Sequence, residues 1–224
     1  MRRFANVNEV PSRSQIQDGR SDVVRGMSKI CVVYHSGYGH TKVQADAVAS
    51  GARSVPGTEV HLIPVEQIDA SWEHLHTADA LIFGAPTYMG TVSADFKAFM
   101  DQTSQFWAKQ PWKDKLAAAF TNSGSQHGDK LNTLMSLAVF AAQHGMNWIN
   151  LGLLPGHNSS TGSAEDMNRF GGFLGAMAQS NVDEGPDVAP PKSDRETAFH
   201  LGQRVAEAAR RWQQEAVALT VTAR

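Results

Sequence analysis

The sequence predicts an α/β fold, a doubly wound sheet of five parallel strands in the order 2-1-3-4-5 with helices on both faces. Three apolar runs support this prediction, at residues 30–34, 80–83 and 116–120. Each run has the length and composition of a buried strand, and each opens into a loop of small and polar residues. Because ligands of open parallel sheets bind beyond the carboxyl ends of strands, these loops indicate one site at strands 1, 3 and 4.

The remaining elements follow from periodicity and turn residues. Thr41 can cap a first helix that ends near Ser54. Pro56 and Gly57 mark the turn before a second strand at residues 60–63. Further along, the pattern predicts helices at residues 72–76, 92–103 and 129–144 and a last strand at 147–151. A closing helix is predicted over residues 195–215, with Trp212 in its buried stripe. Residues 153–191 are rich in Gly, Pro, Ser and Asn, and a loop of this length is often functional.

Composition limits the function classes. The chain of 224 residues is 42% hydrophobic, enough for one sizeable core, and its net charge of −2 favours neither nucleic acid nor an anionic membrane as partner. Its one cysteine excludes an intrachain disulfide and is typical of a reducing compartment, so a cytoplasmic location is predicted. No apolar run reaches membrane-spanning length. Residues 1–27 are polar and resemble no secretory signal; they are predicted to be a mobile extension before a domain at 28–224.

The first loop has the features of a phosphate cradle, because a strand, a small-residue loop and a helix start present free backbone N–H groups to an anion. Lys42 follows Thr41, so the Gly-Lys-Ser/Thr order of nucleoside-triphosphate loops is missing. Lys42 also stands where a dinucleotide fingerprint has its third glycine. A single phosphate monoester carried by a cofactor fits this loop better, although an ordinary helix start has the same composition.

The second and third loops strengthen the cofactor interpretation. Pro86 fixes a turn in the second loop, and Gly90 permits close approach of the backbone. Tyr88 and Met89 offer side chains that can pass along a flat ring, but by themselves they are more typical of a surface turn. Only the three loops together favour a flavin over that alternative.

Four motifs together resemble the flavodoxin-like NAD(P)H:quinone oxidoreductases of the tryptophan-repressor-binding-protein type. They are residues 36–41, Phe83-Gly-Ala-Pro-Thr-Tyr-Met-Gly90, Phe99-Met-Asp-Gln-Thr103 and His144-Gly-Met146. The resemblance covers residues 29–154 well and the last helix loosely. It implies a flavodoxin-like fold, FMN as cofactor, NAD(P)H as electron donor and a quinone or similar acceptor.

The resemblance also implies site residues. Cofactor contacts fall on the three loops and one helix end, at Ser36, Gly37, Tyr38, Gly39, His40, Thr41, Pro86, Thr87, Tyr88, Met89, Gly90, Asn122, Ser123, Gly124, Ser125, Gln126, His127 and Gln143. Tyr38 falls on a position of nicotinamide-nucleotide contact and Trp107 on a position of substrate contact. No catalytic side chain is expected, since the flavin carries the redox chemistry. No metal site is expected, since the histidines lack paired ligand spacing.

Departures from the family pattern leave alternatives open. Gln126 and His127 replace a run of glycines, and Gln143 replaces a histidine. The connection at residues 64–71 is shorter than in the fullest members of the family, which argues against the family's usual tetramer. The helix at 129–144 is apolar nearly all round, which predicts burial by residues 153–191 or by another subunit in a homodimer or homotetramer. The alternative to an enzyme is a non-catalytic electron carrier or an FMN-dependent interaction protein.

Overall fold

A parallel sheet forms the centre of the protein. The computed structural model describes residues 26–222, with side chains described through Gln213, so the predicted extension lies outside the described residues except for its last two. The strands are β1 (Ser28–Tyr34), β2 (Thr58–Pro64), β3 (Ala80–Tyr88), β4 (Thr91–Val92), β5 (Leu116–Ser123), β6 (Asn147–Trp148) and β7 (Ala176–Gln179). Their order is β2-β1-β3-β5-β6, with β7 also parallel to β5 and the short β4 antiparallel to β3. The predicted order is therefore confirmed, because β5 is the predicted fourth strand.

Helices cover both faces of this sheet. They are α1 (His40–Arg53), α2 (Trp72–Thr77), α3 (Ala94–Gln102), α4 (Ser104–Trp107), α5 (Lys130–Gln143) and α6 (Lys192–Thr222), with a 3-10 helix at Val65–Ala70. On one face α1 and α6 pack over β1, β3 and β5, and on the other face α3 and α5 cover Leu81 and Phe83 of β3. Both faces of the central strands are thus buried, which explains why those strands are apolar at consecutive positions.

The fifth strand is interrupted, a feature that the sequence analysis missed. The predicted last strand at 147–151 is reduced to β6, which pairs with Leu116 and Ala117 of β5. The chain then leaves the sheet and returns as β7, which pairs with β5 at residues 120–123. Residues 149–175 are therefore an insertion inside one strand position, and the predicted loop at 153–191 contains a strand.

Three local predictions were wrong. Gly39, at a φ of 89°, is the N-cap of α1, and Thr41 is buried inside the helix without capping it. The helix predicted from residue 92 begins at Ala94, because Val92 pairs with Thr87 in a hairpin. Trp212 is half-exposed and not part of the buried stripe of α6, where Ala198, Leu201 and Val205 are buried.

The helices α1 and α6 cross at two glycines. A Cβ atom at Gly202 would overlap the carbonyl oxygen of Val48, and one at Gly51 would overlap the carbonyl oxygen of Phe199. Both obstacles are backbone atoms of a facing helix, so they cannot rotate away as a side chain would. The glycines therefore set the distance between these two helices.

We expect Gly202→Ala to lower the free energy of unfolding by about 2 kcal/mol, because overpacking outweighs the roughly 1 kcal/mol that alanine gains in helix propensity. Chemical denaturation measures this change. Ser50→Ala, on the exposed side of α1, is the control and should change stability by less than about 0.5 kcal/mol. A variant Gly202→Ala that is as stable as the wild type would contradict a close crossing.

Candidate functional site

Loops from neighbouring strands converge at one edge of the sheet. Strand β3 lies between β1 and β5, with Tyr34 opposite Gly84 and Pro86 opposite Asn122. Because all three strands run parallel, the loops that follow them leave the sheet on the same side. The structure therefore brings together the three loops that the sequence singled out.

The first loop presents a row of unpaired backbone donors. The N–H groups of residues 36–41 donate to no acceptor in the part of the chain that the structure describes. Gly39 turns the chain with a positive φ, so these donors stand at the amino end of α1. Ser36 Oγ accepts from the Lys42 N–H at 3.0 Å, which leaves its own hydrogen free for a ligand. This arrangement fits a phosphate monoester, whose oxygens accept hydrogen bonds and whose charge favours a helix N-terminus.

The base of the first loop is fixed by His35. Its Nδ1 lies 2.8 Å from the hydroxyl of Ser93, and its Nε2 lies 3.2 Å from a carboxylate oxygen of Asp95. His35 is buried while Asp95 is exposed. The imidazole therefore ties the end of β1 to the start of α3 and holds the entrance of the loop in place.

A fourth loop closes over the first. The sequence analysis marked the segment at 153–191 that contains it, but not its place beside the first loop. It follows β7 at residues 180–187. His40 Nε2 lies 2.8 Å from the carbonyl oxygen of Glu184, so a protonated Nε2 donates to it. A Cβ atom at Gly39 would lie 2.8 Å from Cγ of Pro186. No motif marked this loop, because its position depends on the return of the chain as β7.

The second loop is a tight hairpin. Met89 and Gly90 have φ values of 47° and 85° and join β3 to β4 through a two-residue turn. The Thr87 hydroxyl is buried, 2.8 Å from that of Thr121 and 2.7 Å from that of Thr133, so its side chain contacts the core. Met89 is fully exposed, and burial raises the pKa of Tyr88, which keeps its hydroxyl protonated.

Two tyrosines connect the first and second loops. The rings of Tyr38 and Tyr88 meet edge to face, with 6.3 Å between their centroids. Tyr38 remains 76% exposed. A Cβ atom at Gly37 would lie 2.8 Å from the Tyr88 hydroxyl oxygen, so a larger residue there would displace that hydroxyl. The pair therefore offers an aromatic surface directly beside the phosphate loop.

The third loop is held by contacts on its inner side. Asn122 and Ser123 are buried in β5, where Asn122 Oδ1 accepts from the Ser180 hydroxyl and Ser123 Oγ donates to the carbonyl of Ser125. Residues 124–127 are exposed. The sequence analysis missed Lys130, a buried lysine whose ammonium donates to carbonyls of this loop.

Trp107 and Gln143 lie together but apart from the loops. Trp107 Nε1 donates to the Gln143 carbonyl at 2.7 Å, and Gln110 donates to the same oxygen at 3.1 Å. Gln143 ends α5, a helix of 14 residues, and at 1.5 Å per residue this is about 20 Å from the third loop. The two residues border a cavity of about 480 Å³ whose lining also includes Lys97, Val139 and Phe140. One chain therefore does not bring Trp107 and Gln143 to the phosphate loop.

A second cavity, of about 800 Å³, lies beside the third loop. Its lining includes His127, Leu131, Phe170, Phe173 and Met177. No residue of the first or second loop lines it. The cavity is therefore not the predicted phosphate site, although it borders Gln126 and His127.

Within residues 26–222, no group of three His, Cys, Asp or Glu side chains is placed to hold a metal ion. No helix within the same range is both long and apolar enough to cross a membrane.

Comparisons with known proteins agree with this geometry. The family described as NADPH-dependent FMN reductase matches residues 39–158. "Flavodoxin FldP" of Pseudomonas aeruginosa is 43% identical over 80% of this chain and 96% of its own length. "NAD(P)H dehydrogenase (quinone)" of Archaeoglobus fulgidus is 34% identical over 82% of this chain and 98% of its own. The solved structure of a flavodoxin, WrbA-like protein from Agrobacterium tumefaciens has a TM-score of 0.65 and 40% identity, and the match covers 82% of this chain and 98% of that one.

We expect Ser36→Asp to weaken FMN binding about a hundredfold or more, because it places a negative charge beside the phosphate. Fluorescence quenching of FMN on titration with protein measures the affinity. Ser50→Asp is the matched control, since it adds the same charge to an exposed position of α1 about 15 Å from the helix start. Equal loss of affinity in both variants, or none in Ser36→Asp, would exclude the first loop as the phosphate site.

Proposed function

Because this chain belongs to the NADPH-dependent FMN reductase family, we propose that it is an FMN-dependent oxidoreductase that transfers electrons from NAD(P)H to a quinone or similar acceptor. The observation that carries this proposal is the row of unpaired N–H groups at residues 36–41. The relative named as a quinone dehydrogenase supports the choice of acceptor.

Each loop has a distinct part in holding FMN. The N–H groups of the first loop and the Ser36 hydroxyl bind the phosphate. The exposed turn at Met89 and the exposed third loop would hold the ring, and Tyr38, which contacts Tyr88, would contact the nicotinamide nucleotide. Bound there, FMN supplies the hydride-accepting and electron-donating chemistry, and the protein supplies orientation and exclusion of water.

The electron-carrier alternative rests on a specific observation. The relative from Pseudomonas aeruginosa is named a flavodoxin, and the fourth loop exposes two acidic side chains, Asp183 and Asp187, which suit docking of a basic redox partner. In contrast, residues 36–41, 87–90 and 124–128 contain no Asp or Glu. The three loops around the proposed ring site therefore lack the acidic surface of a carrier, and we favour the enzyme.

We place the protein in the cytoplasm, as its one cysteine suggests. Cys31 is fully buried in β1, and this burial raises the pKa of its thiol to about 12. The thiol is therefore protonated at neutral pH and inert toward oxidation. A compartment that requires disulfides offers no advantage to this chain.

We expect NADPH or NADH to bleach protein-bound FMN within seconds in the absence of oxygen, and benzoquinone to restore its absorbance. Stopped-flow absorbance of the flavin measures both steps. Wild-type protein loaded with FMN but given no nicotinamide is the control. If bleaching takes hours and only a reductase protein accelerates it, the carrier function is correct and the enzyme function is wrong.

We further propose that the protein is a homodimer or homotetramer in which α5 packs on a second copy. Leu131, Met135 and Val139 lie at intervals of four residues on this helix and are 52%, 51% and 60% exposed. This apolar stripe leads to the cavity bordered by Trp107 and Gln143, since Val139 lines that cavity. A second copy seated on the stripe can therefore receive Trp107 and Gln143 next to its own cofactor, which the single chain does not allow.

We expect light scattering to give at least twice the 24.3 kDa chain mass at micromolar concentration, and Met135→Glu to shift the particle to one chain, because it buries a charge in an apolar contact. Ser50→Glu, on the other face of the sheet, should leave the assembly unchanged.

In the same samples Trp107→Ala should reduce quinone turnover more than FMN affinity. A wild-type particle of about one chain mass would refute the assembly.

A further inference from the structure

Lys130 is a buried lysine that forms no direct ion pair with a carboxylate of the described residues. It is 1% exposed, and its ammonium donates to the carbonyls of Ser125 at 2.6 Å, Gln126 at 2.8 Å and His127 at 3.5 Å. No carboxylate of the described residues lies within 4.0 Å of it. Burying an ammonium is costly unless its hydrogen bonds are satisfied. Here the curled third loop satisfies them.

The surroundings of Lys130 reinforce this placement. The Phe170 ring, which belongs to the insertion in the fifth strand, has its centroid 4.8 Å from the ammonium. The Arg169 guanidinium packs 4.3 Å from the same centroid and pairs with Asp194. Burial lowers the pKa of Lys130 to about 8, with Asp194 opposing and Arg169 adding to the shift. Burial in these surroundings of α5, the insertion and α6 thus opposes the charge, but a pKa of about 8 leaves the ammonium mostly protonated at neutral pH.

These three hydrogen bonds decide where the loop's own N–H groups point. In a trans peptide the N–H of one residue is antiparallel to the C=O of the residue before it. The carbonyls of residues 125–127 face the ammonium, so the N–H groups of Gln126, His127 and Gly128 face the opposite, outer side of the loop. None of the three N–H groups donates to an acceptor among the described residues. The three N–H groups are therefore spaced along the outer side of the loop and do not converge on one point, as they would in a pocket for a single anion.

We propose that Lys130 is a positioning residue that presents these three N–H groups to the N1–C2=O edge of the flavin and thereby favours the reduced cofactor. The inference rests on the proposed function. Hydride transfer from NAD(P)H moves two electrons and one proton to the ring, oxidises the donor to NAD(P)⁺ and adds one negative charge to that edge. Preorganised donors stabilise a charge that develops in place, and the buried ammonium behind them adds to the same field.

The test is the midpoint potential of bound FMN in Lys130→Met, measured by anaerobic titration against a reference dye. We expect the variant to bind reduced FMN tenfold more weakly relative to oxidised FMN, which lowers the two-electron potential by about 30 mV. A loss of loop rigidity alone would weaken both forms equally and leave the potential unchanged, which would overturn the proposal.

Lys115→Met is the matched control. The Lys115 ammonium also donates to two backbone carbonyls, those of His76 and Ala78, and burial likewise lowers its pKa. It lies just before β5, a strand of eight residues, and therefore about 25 Å from the third loop. The control should lose stability and keep the wild-type potential. An equal shift of potential in both variants would overturn the proposal.

If Lys130→Met does not fold, the wild type provides the second measurement. Amide resonances of Gln126, His127 and Gly128 should shift and gain protection from hydrogen exchange when FMN is added, and unchanged amides would overturn the proposal. The same experiments distinguish a failure of the proposed function from a failure of the role of Lys130. A wild type that binds no FMN overturns both the proposed function and this role. A wild type that is bleached by NAD(P)H, with an unshifted potential in Lys130→Met, overturns only the role of Lys130.

Discussion

The parallel register of β1, β3 and β5 is the constraint on which the rest of the structure depends. It buries both faces of the three strands, so helices must cover each face, and it places the loops that follow the strands at one edge. The backbone N–H groups of residues 36–41 can then bind a phosphate at this edge, because β1 before them and α1 after them fix the directions of these groups. The binding edge is thus a consequence of how the core is built.

The sequence predicted the elements whose signals are local. Strand periodicity, the loop at residues 36–41 and the motifs of the second and third loops identified the fold, the family and the convergence of loops, and the fold and the family are confirmed. It did not predict the interruption of the fifth strand, because β7 is only four residues long and contains no β-branched or aromatic residue: Ala176, Met177, Ala178 and Gln179. Only pairing with β5 makes them a strand. The place of the fourth loop beside the first was missed for the same reason, since β7 brings Glu184 and Pro186 to the first loop.

Single side chains were harder to place than loops. Thr87 belongs to the second loop, yet its hydroxyl bonds to two buried threonines, because alternate residues of a strand face opposite sides. The resemblance implied a substrate contact for Trp107 and a cofactor contact for Gln143, and the structure joins the two residues to each other at the far end of α5. The distance of Gln143 from the third loop follows from helix geometry, since a helix carries its last residue away from the edge where it begins. Its contact with Trp107, 36 residues away in the sequence, does not follow from sequence position.

The third loop connects these observations. A run of glycines lets a backbone turn its N–H groups toward a ligand at little steric cost, but it leaves the loop with many conformations to lose. This chain has Gln126 and His127 there, and of the loop's two glycines only Gly128 has a positive φ. The non-glycine residues reduce the conformational entropy that ordering costs, while the hydrogen bonds from Lys130 select one conformation. A loop fixed by hydrogen bonds from a buried ammonium can therefore replace a loop whose glycines let it adapt to the ligand. The insertion that carries Phe170 covers this ammonium and shields it from water.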